Sequence, residues 1–329
     1  MSGELWEGEA EIGVEAGYGT AVASTRQMYF RPGSNLSTER EPRIHKFQTG
    51  TRDNVRNLTL GPEKAAGQVV LPISAEILEL LEIGILGSVT AVGAGANKTW
   101  TFAPGTALNS ATMRWHDGAR PWRAAGVYAG KLNFKGSVDG ENLVTADLFA
   151  KSLTQEALTG GLAHATPAVF EGWESKIYID AFEGVAGTTV KTGLMLDWDV
   201  TIDNDPQRHY TADNTQTLSS ITLNEIGVEA TLTVLASAAQ AMTEFTAWTA
   251  GTKRLIRLEF GNNTAIGATG VNEKIWIDLP GAWTAVDLNQ ESNGARAYQL
   301  KMNYVFDTVN AYGVQITVTT ARADVFDDR

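Results

Sequence analysis

The sequence predicts a mainly β protein: a tandem pair of β-sandwich or partly closed barrel units, each with one short flanking α-helix. Three observations carry this reading. Apolar and polar residues alternate with period two in many short runs, as half-buried strands require. Only two segments have helical spacing, and each follows an apolar strand and begins at a serine. Short signatures of the first half recur in order in the second.

The first half opens with a strand near Gln27–Arg31, then a polar stretch from Pro32 to Lys64 read as a long loop. An apolar strand at Gln68–Ile73 leads into Ser74–Gly84. Ser74 is a suitable N-cap and Glu76 favours the first turn, while Ile77, Leu78, Leu80 and Leu81 supply a buried stripe. Gly84 or Gly87 can end that helix. Lys131–Lys135 alternates cleanly. In the second half Ser175–Asp180, Leu194–Asp203, Val228–Leu235, Arg254–Phe260 and Tyr312–Thr319 read as strands. Ser237–Trp248 reads as the second helix, closed by Gly251.

The repeat supplies the domain division. Trp100-Thr-Phe-Ala-Pro-Gly105 is echoed by Trp276-Ile-Asp-Leu-Pro-Gly281, and the same spacing carries Gly118-Ala-Arg120 to Gly294-Ala-Arg296 and aromatic Trp122 to aromatic Tyr298. Upstream, a shorter spacing carries Pro42-Arg-Ile-His45 to Pro206-Gln-Arg-His209 and Gly87 to Gly251. Ser74 matches Ser237 within one residue of it. The change of spacing implies roughly a dozen extra residues in the second half, between Gly251 and Trp276. The units are therefore set at 1–165, with an N-terminal arm, and 166–329, with a C-terminal arm.

Composition narrows the function. The 329 residues are 43% hydrophobic and 19% charged, as in a folded chain, and the net charge is −12. Such an acidic protein is poorly suited to gripping phosphates. There is no cysteine, which excludes disulfides, thiolate metal sites and cysteine nucleophiles. The acidic start has no basic region followed by an apolar one, so a cytoplasmic origin is expected. No phosphate loop, Gly-x-Ser-x-Gly or His-Glu-x-x-His motif occurs, and no enzyme activity is expected. His45 and His209 read as turn residues inherited by duplication rather than as ligands. Asp197, Asp199, Asp203 and Asp205 share strand parity. An exposed acidic face is favoured over calcium, because their spacing is not that of a calcium loop. No cofactor or metal is assigned. The nine tryptophans read as core or turn packing rather than a sugar-stacking surface.

The segment Glu15-Ala-Gly-Tyr18-Gly19-Thr20 resembles the opening of the tail tube (major tail) proteins of long-tailed bacteriophages. The order of elements that follows is similar too: a strand, a polar stretch, then the Gly67–Ile73 strand running into Ser74–Gly84. The resemblance is clearest over roughly residues 9–180 and weaker beyond. It implies tail-tube-like β-sandwiches with a flanking helix, joined through strands of neighbouring subunits into an inner barrel, with rings stacked into a tube. Two-domain members resemble a fused pair, so a trimeric ring with pseudo-sixfold symmetry is expected. The implied partners are further copies, tail tip or initiator, tape-measure and terminator proteins, and DNA passing through without specific binding. The implied location is the virion, after assembly in a host cytoplasm.

Charge refines this expectation. The net charge is −2 over residues 1–164 and −10 over residues 165–329. Arg40, Arg43, Lys46, Arg52 and Arg56 concentrate in the polar stretch and are assigned to a contact loop between rings. Asp203, Asp205 and Asp213 are assigned as a candidate acidic docking face. A lumen without a basic track is expected, since a DNA conduit should not hold phosphates. The alternative is a β-sandwich carbohydrate-binding or surface adhesion protein, monomeric, with exposed aromatics on one sheet face.

Overall fold

The computed structural model describes residues 9–326, apart from residues 32, 49–51, 53–54, 86–90, 94–95, 106–108, 163–166, 213–214, 238 and 293. The first half comprises strands β1 (Glu9–Val14), β2 (Arg26–Met28), β3 (Asn35–Lys46) and β4 (Val55–Pro72), helix α1 (Leu78–Gly84), then β5 (Lys98–Phe102), β6 (Ala111–His116), β7 (Pro121–Ser137), β8 (Leu143–Ala150) and β9 (Ser152–Gln155). The second comprises β10 (Lys176–Ala181), β11 (Met195–Asp203), β12 (Pro206–His209), β13 (Ser220–Leu223), β14 (Gly227–Leu235), α2 (Ala239–Thr249), β15 (Arg254–Ala265), β16 (Asn272–Ser292), β17 (Ala295–Tyr304) and β18 (Gln315–Thr320). The fold is thus mainly β with two helices among the described residues, and all but β12 and β13 belong to one hydrogen-bonded sheet.

Local chemistry explains the helices. The Ser74 hydroxyl accepts the Glu76 N–H at 3.2 Å, capping a 3-10 turn (Ala75–Ile77) that continues into α1. α1 is buried along its whole length, including Glu79 and Glu82. Glu79 is met by Arg26 at 2.6 Å and Arg322 at 2.5 Å, so its charge is paired inside the protein. α2 ends at Gly251, whose φ of +64° suits glycine, with its N–H bonded to the Trp248 carbonyl. α1 packs on β7 and α2 on β16.

The two halves follow the same pairing order. In the first, the ladders run β2–β1–β6–β7–β8–β4–β3. In the second, residues 189–191 pair with β10, and the order continues β15–β16–β17–β14–β11. β9 follows β8 and pairs back on β7; β18 follows β17 and pairs back on β16. A bulge falls at Gly130 in β7, between Ala129 and Lys131, and the corresponding one at Thr284 in β16, between Trp283 and Ala285. Among the described residues β5 has no counterpart: it extends the second half's sheet by pairing with β18.

Some sequence expectations change. Pro32–Lys64 is not a long loop; most of it forms the β3–β4 hairpin, whose polar character reflects exposure of both faces. Trp100 lies in β5 and Trp276 in β16, which occupy different places in the sheet. Likewise Gly118–Arg120 joins β6 to β7, whereas Gly294–Arg296 joins β16 to β17. The Pro-x-x-His and serine matches do fall on corresponding elements. The extra residues after the helix lie in the first half, where β5 is inserted. The second half is longer instead in the β15–β16 hairpin. The division at 165/166 lies outside the described residues.

Candidate assembly interface

The halves are joined by a ladder. The far part of β7 pairs with β11 from Lys131↔Asp203 to Ser137↔Asp197. β11 therefore has neighbours on both edges, β7 and β14, and residues 131–135 of β7 also have two, β8 and β11. Their counterparts differ. Among the described residues β3 pairs only with β4, and β16 beyond Gly281 pairs only with β17. Each end of the molecule thus carries one strand edge of the kind that the internal joint satisfies.

Above this joint stand two arms. The outer part of the β3–β4 hairpin is exposed on both faces. Cross-strand partners Ile44↔Leu58 and Pro42↔Leu60 make one of its faces apolar, with Ile44 53% and Leu58 54% exposed. The β12–β13 hairpin is its counterpart, with Pro206↔Leu223 and Arg208↔Ile221. The histidines occupy corresponding positions: His45 Nε2 lies 3.0 Å from Thr59 Oγ1 and His209 Nε2 lies 2.8 Å from Thr222 Oγ1, each bridging its own hairpin.

The β12–β13 arm rests on a seat that the Glu15–Thr20 segment helps to build. The buried Glu15 carboxylate accepts four hydrogen bonds, from Gly19 N–H (2.8 Å), Ser110 Oγ (2.7 Å), Thr112 Oγ1 (2.7 Å) and Gly126 N–H (2.9 Å). That anchors the segment to β6 and β7. Gly19 has φ +68°, a left-handed conformation that favours glycine at this turn. Tyr18 is thereby laid on Tyr128 at 5.5 Å between centroids, and Tyr128 on Phe149 at 5.8 Å. Burial pushes the Tyr18 hydroxyl well above its ordinary pKa, with Tyr128 and Glu15 adding to the rise. The guanidinium of Arg208 sits 4.8 Å from the Phe149 centroid, and the Asn204 N–H donates to the Gly130 carbonyl at 2.9 Å. Tyr128, Phe149 and Arg208 had no distinguishing signal in the sequence.

Arg40 reaches Glu63 at 2.8 Å and the Gln216 side chain at 3.0 Å, linking β3 and β4 to the second half. Glu63 also donates its N–H to the Gln216 carbonyl at 2.7 Å. Arg43, Lys46 and Arg52 are exposed. The Arg56 side chain and Asp213 lie outside the described residues. Asp203 is opposite Lys131 and accepts the Asp205 N–H at 2.8 Å. Asp205, at φ +38°, accepts from Asn224 at 2.8 Å.

The sheet face away from the helices is polar across the joint. Lys131 lies between Asp203 and Asp147 on adjacent strands, and Lys135 lies opposite Asp199. Lys301 shares this face, as do Asp197, Glu229 and Asp287. The lysines are interspersed with acids and form no continuous basic stripe. Among the described residues no group of three or more His, Cys, Asp or Glu could hold a metal ion. Of the described tryptophans only Trp173 is exposed; the others are buried or partly so. No protein-family model matches the chain, and no curated protein matches it.

Proposed function

We propose that the chain is a structural subunit that self-assembles into stacked rings forming the tail tube of a long-tailed phage, the conduit for DNA delivery. On this reading residues 1–165 and 166–329 are two tail-tube-like domains arising by duplication, and three chains make a pseudo-sixfold ring. The observation that carries the proposal is a pair of open edges: among the described residues β3 and the far part of β16 lack the neighbour that their counterparts β11 and β7 give each other. A strand edge left open at each end of a repeated unit is satisfied when copies join head to tail and the ring closes. Both helices pack on the apolar face, so closure would leave the polar face toward the bore. There, acids outnumber lysines, which suits passage of DNA without capture. The Glu15–Thr20 resemblance supports the same reading. The virion is then the site of action, with tail tip, tape-measure and terminator proteins as partners.

Negative-stain electron microscopy of the purified protein over a wide concentration range tests this. Rings or tubes of uniform width are expected, with threefold ring symmetry in end views. A monodisperse monomer at every concentration, combined with glycan binding, would favour the adhesion alternative.

A further inference from the structure

The internal joint is a template for the contact between copies. Ladder by ladder, β11 corresponds to β3 and β14 to β4. Asp199↔Thr231 and Asp203↔Gly227 in the second half answer Asn35↔Gln68 and Glu39↔Lys64 in the first. Thr231↔Lys301 answers Gln68↔Asp147. Asp147 faces Lys131 just past the Gly130 bulge, as Lys301 faces Ala285 just past the Thr284 bulge. Each step is a backbone pairing, so the correspondence fixes register as well as topology.

Resting on the ring reading above, we infer that β3 of a second copy pairs antiparallel with β16, with Glu39 opposite Ala285, Thr38 opposite Val286 and Ser37 opposite Asp287. These repeat Asp203↔Lys131, Ile202↔Leu132 and Thr201↔Asn133 of the internal joint. The register sends the β3–β4 arm over the second half, where the β12–β13 arm lies over the first.

The surfaces meeting there differ from the internal seat in a complementary way. Internally a cation, Arg208, lies on aromatic Phe149. On the arm of the second copy, Ile44 takes the place of Arg208. Near the receiving strands, the turn after β10 and the turn after β17 are tied together: Thr308 Oγ1 donates to Glu183 at 3.0 Å and Asn310 Nδ2 to the Gly184 carbonyl at 3.0 Å. These turns expose Val185 (74%), Phe306 (56%) and Val309 (67%). An apolar arm face is thus matched by an apolar shelf, and both are covered when the copies join.

The absence of native cysteines makes the register directly testable. In a Glu39→Cys, Ala285→Cys protein the two thiols share a face, with Cβ atoms about 4.5–5.5 Å apart across strands. Mild oxidation at assembling concentration should give disulfide-linked multimers on a non-reducing gel. Thr38→Cys with Ala285→Cys points the thiols to opposite faces and should give none. Ile44→Asp, or Phe306→Asp, should raise the concentration needed for assembly at least about tenfold while leaving the monomer's melting temperature in place. Rings seen by microscopy without the Glu39–Ala285 cross-link, or with the Thr38–Ala285 one, would overturn the register while sparing the ring reading. Assembly indifferent to both aspartate substitutions would overturn the apolar shelf. Absence of particles from the unmodified protein at every concentration would overturn both readings.

Discussion

Arg208 stands 4.8 Å from the centroid of the Phe149 ring, so a cation of the second half closes an aromatic stack founded in the first. Phe149 is 2% exposed, with Tyr128 beneath it and Tyr18 beyond. The relationship divides the energies unequally. Phe149→Ala should cost about 3–5 kcal/mol of unfolding free energy, because it empties a buried aromatic site. Arg208→Ala should cost about 1 kcal/mol or less, the usual worth of an exposed cation–π contact. Urea titration of both variants measures the two values. Near-equal losses would mean that the arm, not the stack, carries the contact.

Glu15 offers a second measurement. Its carboxylate accepts from Gly19, Ser110, Thr112 and Gly126, and each donor is left without its acceptor when the side chain is truncated. Glu15→Ala should destabilise by about 2–4 kcal/mol. Glu15→Gln keeps the size but turns one acceptor into a donor aimed at donors, so it should recover little. Thermal unfolding of the three proteins checks the order: wild type above Gln, and Gln close to Ala.

What the sequence made legible followed from local rules. Ser74, the glycine closing the second helix and the alternating runs at Lys131–Lys135 and Leu194–Asp203 each signal through neighbours a few residues away, and the structure places a cap, a helix end and strands there. The β3–β4 arm reads as a loop in the sequence because a strand exposed on both faces has no apolar period to announce it. Leu36, Ile44 and Leu58 are diluted by Arg and Glu. Trp100 and Trp276 look equivalent in sequence for a related reason: β-turn residues recur in unrelated strands, and only the ladders distinguish β5 from β16. The seat for the second arm was invisible because Tyr128, Phe149 and Arg208 become a site only through long-range pairing.

Glu82 makes stability depend on pH. Burial pushes its carboxyl up to about 7, with Asp324 and Glu79 adding repulsion, while the Asn109 amide, donating at 2.7 Å, opposes the rise. A carboxyl whose folded pKa is raised binds its proton more tightly in the native state. Its contribution is therefore full below the unfolded value, about 4.3, and is lost as pH rises toward 7. Glu82→Gln removes that loss. The difference in stability between variant and wild type should move in the variant's favour between about pH 4.3 and 7, by at most about 4 kcal/mol, and stay level above. Urea titrations at a series of pH values read the difference directly. A gap that is constant across the series would show that Glu82 keeps an ordinary pKa.

Arg40 and Arg43 stand three residues apart on one strand but should respond differently to charge reversal. Arg40 spans Glu63 and Gln216, and Glu63 in turn accepts the Leu153 N–H at 3.2 Å and gives its carbonyl to the Tyr210 hydroxyl at 3.1 Å. Arg40→Glu would set a carboxylate against the buried Glu63 carboxylate and loosen the tie to the second half. A loss of about 1–2 kcal/mol is expected, reduced from a buried-pair value because Arg40 is itself 40% exposed. Arg43 is exposed on the polar face of the arm, so Arg43→Glu should leave the monomer's stability within about 0.5 kcal/mol. If exposed arm charges dock on the acidic surface of a neighbouring ring, the same substitution should hinder tube growth, and added salt should hinder the wild type in parallel. Light scattering of tube growth alongside urea unfolding separates the two effects. Growth by the Arg43→Glu protein at the wild-type rate and salt dependence would remove Arg43 from the inter-ring contact and leave Arg40 as a purely internal tie.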